Sequence, residues 1–159
     1  EFTRIVYARP DYIDALEQST AIADHVKVDY ELRGCPVDKY QLLEVVSAFL
    51  ADRVPNVPSE SVCVECKKSG TICVMVARDE PCLGPVTQAG CGALCPRYNR
   101  PCFGCYGPKA NADMAAMSAV PSIQRQKPAD VVRLLRTYNT WSEKFREESE
   151  EWEKKKPEP

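Results

Sequence analysis

Histidine is almost missing from this 159-residue sequence: His25 stands alone. A single His beside a predicted strand is more often a packing or surface residue than a metal ligand, and that is the expectation here. No acid–base pair and no nucleophile constellation stands out, so the chain is not expected to break bonds by itself. Charge of one sign is missing too. The 21 Lys and Arg against 23 Asp and Glu leave a net charge of -2, which speaks against a general nucleic-acid binder. Apolar stretches such as Val45–Leu50 are far too short to cross a bilayer, so no membrane span is expected. No basic segment followed by an apolar one opens the sequence, so no signal peptide is expected. Residue 1 is Glu rather than Met; the expectation is a processed or partial chain.

Cysteine, by contrast, is abundant. Eight of nine cysteines fall between Cys63 and Cys105, as Cys63, Cys66, Cys73 and Cys82, then Cys91, Cys95, Cys102 and Cys105. A CxxC pair opens the run and another closes it. The ninth, Cys35, sits alone in Gly34-Cys35-Pro36. Nine thiols suit an intracellular protein only if they hold metal, whereas in a secreted chain they would suggest disulfides.

The segments around this run differ in pattern. Thr3–Ala8 is rich in β-branched and aromatic residues and predicts a strand. Pro10–Asp24 has helical spacing, and Val26–Leu32 alternates as a strand does. A turn at Arg33–Pro36 leads to a helix over Asp38–Arg53, with Asp38 as N-cap and an apolar stripe of Leu42, Val45, Val46, Phe49 and Leu50. Strand, helix, strand, helix implies part of a parallel α/β sheet, which two strands cannot complete alone. Residues 1–54 are therefore expected to be a partial α/β domain that packs against something else. Val54–Pro58, with two prolines, reads as a rigid linker. Residues 55–112 are expected to be loops and short turns around metal. A helical extension over 113–159 follows: a short helix near Ala110–Val120, then one long helix from Pro128. Its stripe is Val131, Leu134, Leu135, Tyr138, Trp141 and Phe145, and its Glu- and Lys-rich end is expected to be solvated and frayed.

Four thiolates complete either a tetrahedral zinc site or an iron–sulfur cubane. Three features favour two cubanes. The intervals between cysteines are uneven, at two, six, eight, eight, three, six and two residues, whereas zinc ribbons pair two CxxC knuckles across a longer insert. Gly or Pro stands beside most of the ligands, and Gly lets backbone N–H groups reach cluster sulfurs. Apolar padding from Ile72, Val74, Val76, Leu83, Val86, Leu94 and Phe103 shields the sites from water. Two structural zinc sites use the same eight thiols. Disulfides are the poorer account, because the odd total leaves one thiol over. Splitting the eight in sequence order is the simplest ligand partition, and an interleaved one remains open.

Glu31-Leu32-Arg33-Gly34-Cys35-Pro36 and its following helix resemble a segment of [NiFe] hydrogenase small subunits. Cys63-Val64-Glu65-Cys66, Pro81-Cys82-Leu83-Gly84-Pro85-Val86-Thr87, Gly90-Cys91-Gly92-Ala93-Leu94-Cys95-Pro96 and Cys102-Phe103-Gly104-Cys105-Tyr106-Gly107-Pro108 look like its cytosolic branch. That branch includes sulfhydrogenase δ subunits, methyl-viologen-reducing hydrogenase small subunits and coenzyme-F420-reducing hydrogenase γ subunits. The resemblance runs over about residues 26–108 and is specific, since it includes ordered motifs beyond the cysteines. The small subunit of respiratory complex I shares the Gly-Cys-Pro turn but not the eight-cysteine extension.

The resemblance implies a flavodoxin-like N-terminal domain, of which 1–54 is a remnant, and a chain of [4Fe–4S] clusters. Cys35 matches the last ligand of a proximal cluster. Cys91, Cys95, Cys102 and Cys105 match a medial cluster, and Cys63, Cys66, Cys73 and Cys82 a distal one. Many membrane-linked relatives place His where Cys63 stands. The resemblance further implies a cytoplasmic location, a large-subunit partner with the nickel–iron centre, and a flavin or iron–sulfur acceptor subunit. The other three proximal ligands are absent from the sequence, so Cys35 is expected to share its cluster with residues outside it. A free-standing two-cluster carrier of ferredoxin type and a zinc-stabilised interaction module are the rival expectations.

Overall fold

Regular structure opens with a five-residue helix, α1 (Phe2–Val6), where the composition favours a strand. The computed structural model describes residues 2–14 and 20–155, and the chain divides into two compact units, 1–30 and 31–159. In the first unit the described residues form no ladder. A lone extended segment leaves its N–H and C=O groups unpaired, whereas a helix pairs its own: Tyr7 N–H donates to the Thr3 carbonyl at 3.0 Å. Of the helix expected over Pro10–Asp24, the described residues form 3-10 turns at Pro10–Tyr12 and Ile22–Asp24; residues 15–19 lie outside the described residues. The Asp24 carboxylate accepts from Ala21 N–H at 3.0 Å and closes the second turn. No strand forms over 26–32 either, for the same want of a pairing neighbour.

The second unit begins with α2 (Lys39–Leu50). Asp38 caps it as expected, its carboxylate accepting from Tyr40 N–H at 2.9 Å and Gln41 N–H at 3.0 Å. Only Val45 and Ala48 are buried. Of the expected apolar stripe Val45 is buried, while Leu42, Val46, Phe49 and Leu50 are exposed, with Leu43 beside them. This helix is apolar on more than one face, and the inner face is the narrow one. The linker 54–58 has no regular structure but is clipped back to α2, because Asn56 N–H donates to the Glu44 carboxylate at 2.8 Å.

Short helices follow, α3 (Val62–Lys68), α4 (Val74–Arg78) and α5 (Leu94–Arg97), separated by tight turns. Backbone bonds stitch three stretches of this region together. Val62 N–H reaches the Thr87 carbonyl at 3.0 Å, Ala89 N–H the Glu60 carbonyl at 2.8 Å, and Gln88 N–H the Gly107 carbonyl at 2.9 Å. These make isolated bridges, Ser61 with Gln88 and Thr87 with Pro108, and no sheet among the described residues.

The C-terminal part is an α-helical cap built of α6 (Met114–Ser118), α7 (Pro121–Gln124), α8 (Pro128–Asn139) and α9 (Glu143–Lys154). The single long helix expected from Pro128 is therefore two. The chain turns at 140–142, and α9 folds back on α8 as a helical hairpin. Arg136 joins the two arms, Nε donating to Ser149 Oγ at 2.8 Å and Nη1 to Glu153 Oε1 at 2.7 Å. Through Lys154 the Glu- and Lys-rich segment is a regular helix where fraying is expected. Phe145, Ser149 and Trp152, at helical spacing, are all buried, which a straight continuation of α8 would not allow. Trp152 Nε1 donates to Ser118 Oγ at 3.2 Å, so the indole is both packed and paired. Phe145, Trp152, Val131, Leu135, Ile123 and Met117 form one core with Leu83 and Val86. The cap thus packs directly beneath the cysteine loops. No helix among the described residues is long and apolar enough to cross a membrane.

Candidate functional site

Cys63 and Cys66 lie one turn apart on α3, so both thiols project from neighbouring positions of one face. Cys73 stands at the N-cap position of α4, and its side chain makes no capping bond. Cys82 and Cys102 are buried, and two bonds join their segments: Leu83 N–H to the Cys102 carbonyl at 2.9 Å, and Cys102 N–H to Cys82 Sγ at 3.1 Å. With Val62, Val74 and Ala93 these two thiols form a second small core, against which Cys66, Cys91 and Met75 pack. Cys95 sits on α5. None of the nine cysteines is in a disulfide.

The first four thiols interact with one another. Burial pushes the Cys63 thiol up to about 11, and the thiols of Cys82, Cys66 and Cys73 push the same way. Burial also raises Cys66 to about 11, helped by Cys82, Cys73, Cys91 and the Glu65 carboxylate. Gly84 lies against this group. A Cβ at Gly84 would stand 3.3 Å from Cys63 Sγ and 3.4 Å from Cys82 Sγ. Gly84→Ala is therefore expected to lower stability by about 1–3 kcal/mol through overpacking, read as a lower denaturation midpoint.

The second four thiols, with Cys35, line one cavity of about 540 Å³. Cys35, Cys91, Cys95, Cys102 and Cys105 contribute sulfur, and Leu94, Phe103 and Tyr138 contribute apolar wall. Burial raises Cys105, and the thiols of Cys91, Cys95 and Cys35 add to it. Burial raises Cys102 to about 12. The Gly-Cys-Pro turn is held near this group by Tyr106, a buried ring wedged against Gly34 and Gly90, whose hydroxyl donates to the Pro36 carbonyl at 3.4 Å. Arg33 pins the same turn from the other side, donating to the Pro108 carbonyl at 3.0 Å and stacking on Trp141 at 4.7 Å.

Backbone N–H groups face several sulfurs. Burial raises the Cys82 thiol, while the N–H groups of Cys102 and Gly84 pull it back. Burial raises Cys91, and the Leu94 N–H opposes it. The Gly104 N–H does the same for Cys102. Donors aimed at sulfur stabilise a thiolate and tune whatever it binds.

The donor set fits an iron–sulfur group. Sulfur is the soft ligand such clusters take, and eight closely packed thiolates need a cationic group among them. Among the described residues no three Cys, His, Asp or Glu converge on a single-metal site. Of the expected padding, Val74, Leu83 and Val86 are buried. Ile72, Val76, Leu94 and Phe103 are exposed instead, because the helices and turns that carry them are too short to have two covered faces. His25 is exposed, its Nε2 2.7 Å from Thr20 Oγ1, in keeping with a surface role.

Sequence reasoning passed over Glu65, Tyr106 and Asn139. Asn139 Nδ2 donates to the Gly104 carbonyl at 3.1 Å in a buried contact, and ties the cap to the loop between Cys102 and Cys105. Only the polar residue at a buried step of the α8 stripe hinted at it. Glu65 had a clearer signal, a carboxylate inside a CxxC pair.

No family model matches the chain. Known proteins do. The chain is 36% identical over 121 residues to the delta subunit of sulfhydrogenase 2 from Pyrococcus furiosus, a match that covers 76% of this chain and 50% of that one. It is 36% identical over 103 residues to the G subunit of the vhu F420-non-reducing hydrogenase from Methanocaldococcus jannaschii, covering 54% and 36%. It is 29% identical over 145 residues to the iron–sulfur G subunit of the F420-non-reducing hydrogenase from Archaeoglobus profundus, covering 72% and 44%. The chain spans about half or less of the length of these curated relatives.

Proposed function

The chain belongs to the family of hydrogenase small subunits that includes the sulfhydrogenase delta and F420-non-reducing hydrogenase G subunits, and from that premise we propose that it is an electron-transfer subunit of a [NiFe] hydrogenase. Bound [4Fe–4S] clusters would supply one-electron transfer between the nickel–iron site of a large subunit and a redox partner. The observation that carries this reading is the arrangement of the eight thiols. Cys63, Cys66, Cys73 and Cys82 sit within one another's electrostatic reach, and Cys91, Cys95, Cys102 and Cys105 share one cavity.

In this reading the first four thiols hold a distal cluster and the second four a medial one. Cys35 completes a proximal cluster with residues outside this sequence. The chain's own residues bind and orient these groups. The N–H groups of Cys102, Gly84, Leu94 and Gly104 set the charge on the sulfurs. The packed core of Val62, Val74 and Ala93 excludes water beside them. The region before the cysteines is the remnant of a flavodoxin-like domain. The exposed Leu42, Leu43, Val46 and Leu50 of α2 form the face that the rest of that domain or the large subunit covers.

The test is anaerobic purification of the full-length protein with the chains it carries. The reading expects broad absorbance at about 400 nm that bleaches on reduction, and a copurifying chain that contains nickel. A colourless protein with two zinc ions would overturn the cluster assignment. A brown monomer without a nickel-bearing partner would leave a free-standing carrier.

A further inference from the structure

Glu65 lies within the opening CxxC pair, between Cys63 and Cys66, yet its carboxylate reaches the other group of thiols. Oε1 accepts from Gly90 N–H at 2.9 Å and Oε2 from Ala93 N–H at 3.0 Å. Oε2 also stands 3.9 Å from Cys91 Sγ. The loop so held is a costly one. Gly90, Gly92 and the fully buried Ala93 all have positive φ, at 135°, 64° and 52°, and a non-glycine residue keeps that conformation only when its surroundings fix it. No ion pair among the described residues includes Glu65; its carboxylate meets the Gly90 and Ala93 N–H groups and the Cys91 thiol.

We propose that Glu65 is a shared positioning and potential-setting residue: from within the first quartet it clamps the loop that carries Cys91, and it places one negative charge beside both cluster sites. Reduction adds an electron to each site, and a fixed anion close by disfavours that added charge. Glu65 adjoins Cys66 in the chain, and its carboxylate stands 3.9 Å from Cys91 Sγ. The carboxylate thus lowers both potentials together and keeps the two sites matched as one step of a relay.

The inference rests on the two-cluster reading. Wild-type protein without iron sinks that reading, whereas iron-replete wild type with an unresponsive variant sinks this inference alone. The experiment is a redox titration followed by electron paramagnetic resonance on full-length Glu65→Gln, purified anaerobically with the chains it carries. Gln keeps the shape and one acceptor while removing the charge. The expected result is iron content as in wild type and both midpoint potentials raised, each by about tenfold in the reduced-to-oxidised ratio at fixed potential, or about 59 mV for a one-electron couple. Unchanged potentials, a downward shift, or a shift at one site only would overturn the proposal, as would loss of one cluster with a native potential at the other. If Glu65→Gln holds no iron at all, Glu65→Asp decides the point. Near-native potentials with the charge retained support the proposal, and displaced potentials or absent iron overturn it.

Discussion

Cys82→Ser is expected to remove one cluster and spare the other. The iron content falls by the share of one cluster, about four irons per chain, and the absorbance at about 400 nm falls in proportion. Cys82 is buried between Gly84 and the Cys102 backbone, and its sulfur shares the Gly84 contact with Cys63. A serine oxygen in that place is a hard donor at a site built for soft ones. The replacement still leaves an acceptor for the Cys102 N–H, so the loop that carries the second quartet keeps its anchor. Iron analysis and electron paramagnetic resonance of the same sample distinguish the outcomes. Loss of both clusters, or of neither, contradicts two independent quartets.

Phe145→Ala is expected to cost about 3–5 kcal/mol, as removal of a fully buried aromatic side chain does. At about 2–4 °C per kcal/mol for a chain of this size, the thermal midpoint falls by about 6–20 °C. Phe145 is wholly buried in the core that holds Trp152, Leu135 and Ile123 together with Leu83 and Val86. The last two flank the ligand loop that begins at Cys82. The loss therefore reaches the first quartet as well as the helical cap, and heating releases iron earlier in the variant than in the wild type. Scanning calorimetry with iron release monitored in parallel checks both points. An unchanged midpoint would mean that the cap does not support the cysteine loops.

The two residues that matter most for packing under the site differ in how readable they were. Phe145 was visible in the sequence as the last member of an apolar stripe. Trp152 was hidden by the glutamates and lysines around it, since one aromatic among charges reads as solvated until a second helix is there to receive it. The break at 140–142 was hidden for a related reason: Trp141 continued the stripe, and only the burial of Phe145, Ser149 and Trp152 on a returning helix favours the turn. The N-cap at Asp38 was legible because capping is local chemistry. The strands at Thr3–Ala8 and Val26–Leu32 were read from propensity, which describes a fit to neighbouring strands, and no strand pairs with either among the described residues. The thiols announced themselves by type and spacing. Glu65 showed only as a carboxylate inside a CxxC pair, because its role depends on the Gly90–Ala93 loop folding back some 25 residues later in the chain.

Two iron–sulfur cubanes held by Cys63 through Cys105 are the centre of this account, and an assay of iron together with acid-labile sulfide on anaerobically purified, full-length protein tests them most directly. The account predicts iron and sulfide in equal amounts, at least about eight of each per chain. Zinc in place of iron, or iron without labile sulfide, would contradict it.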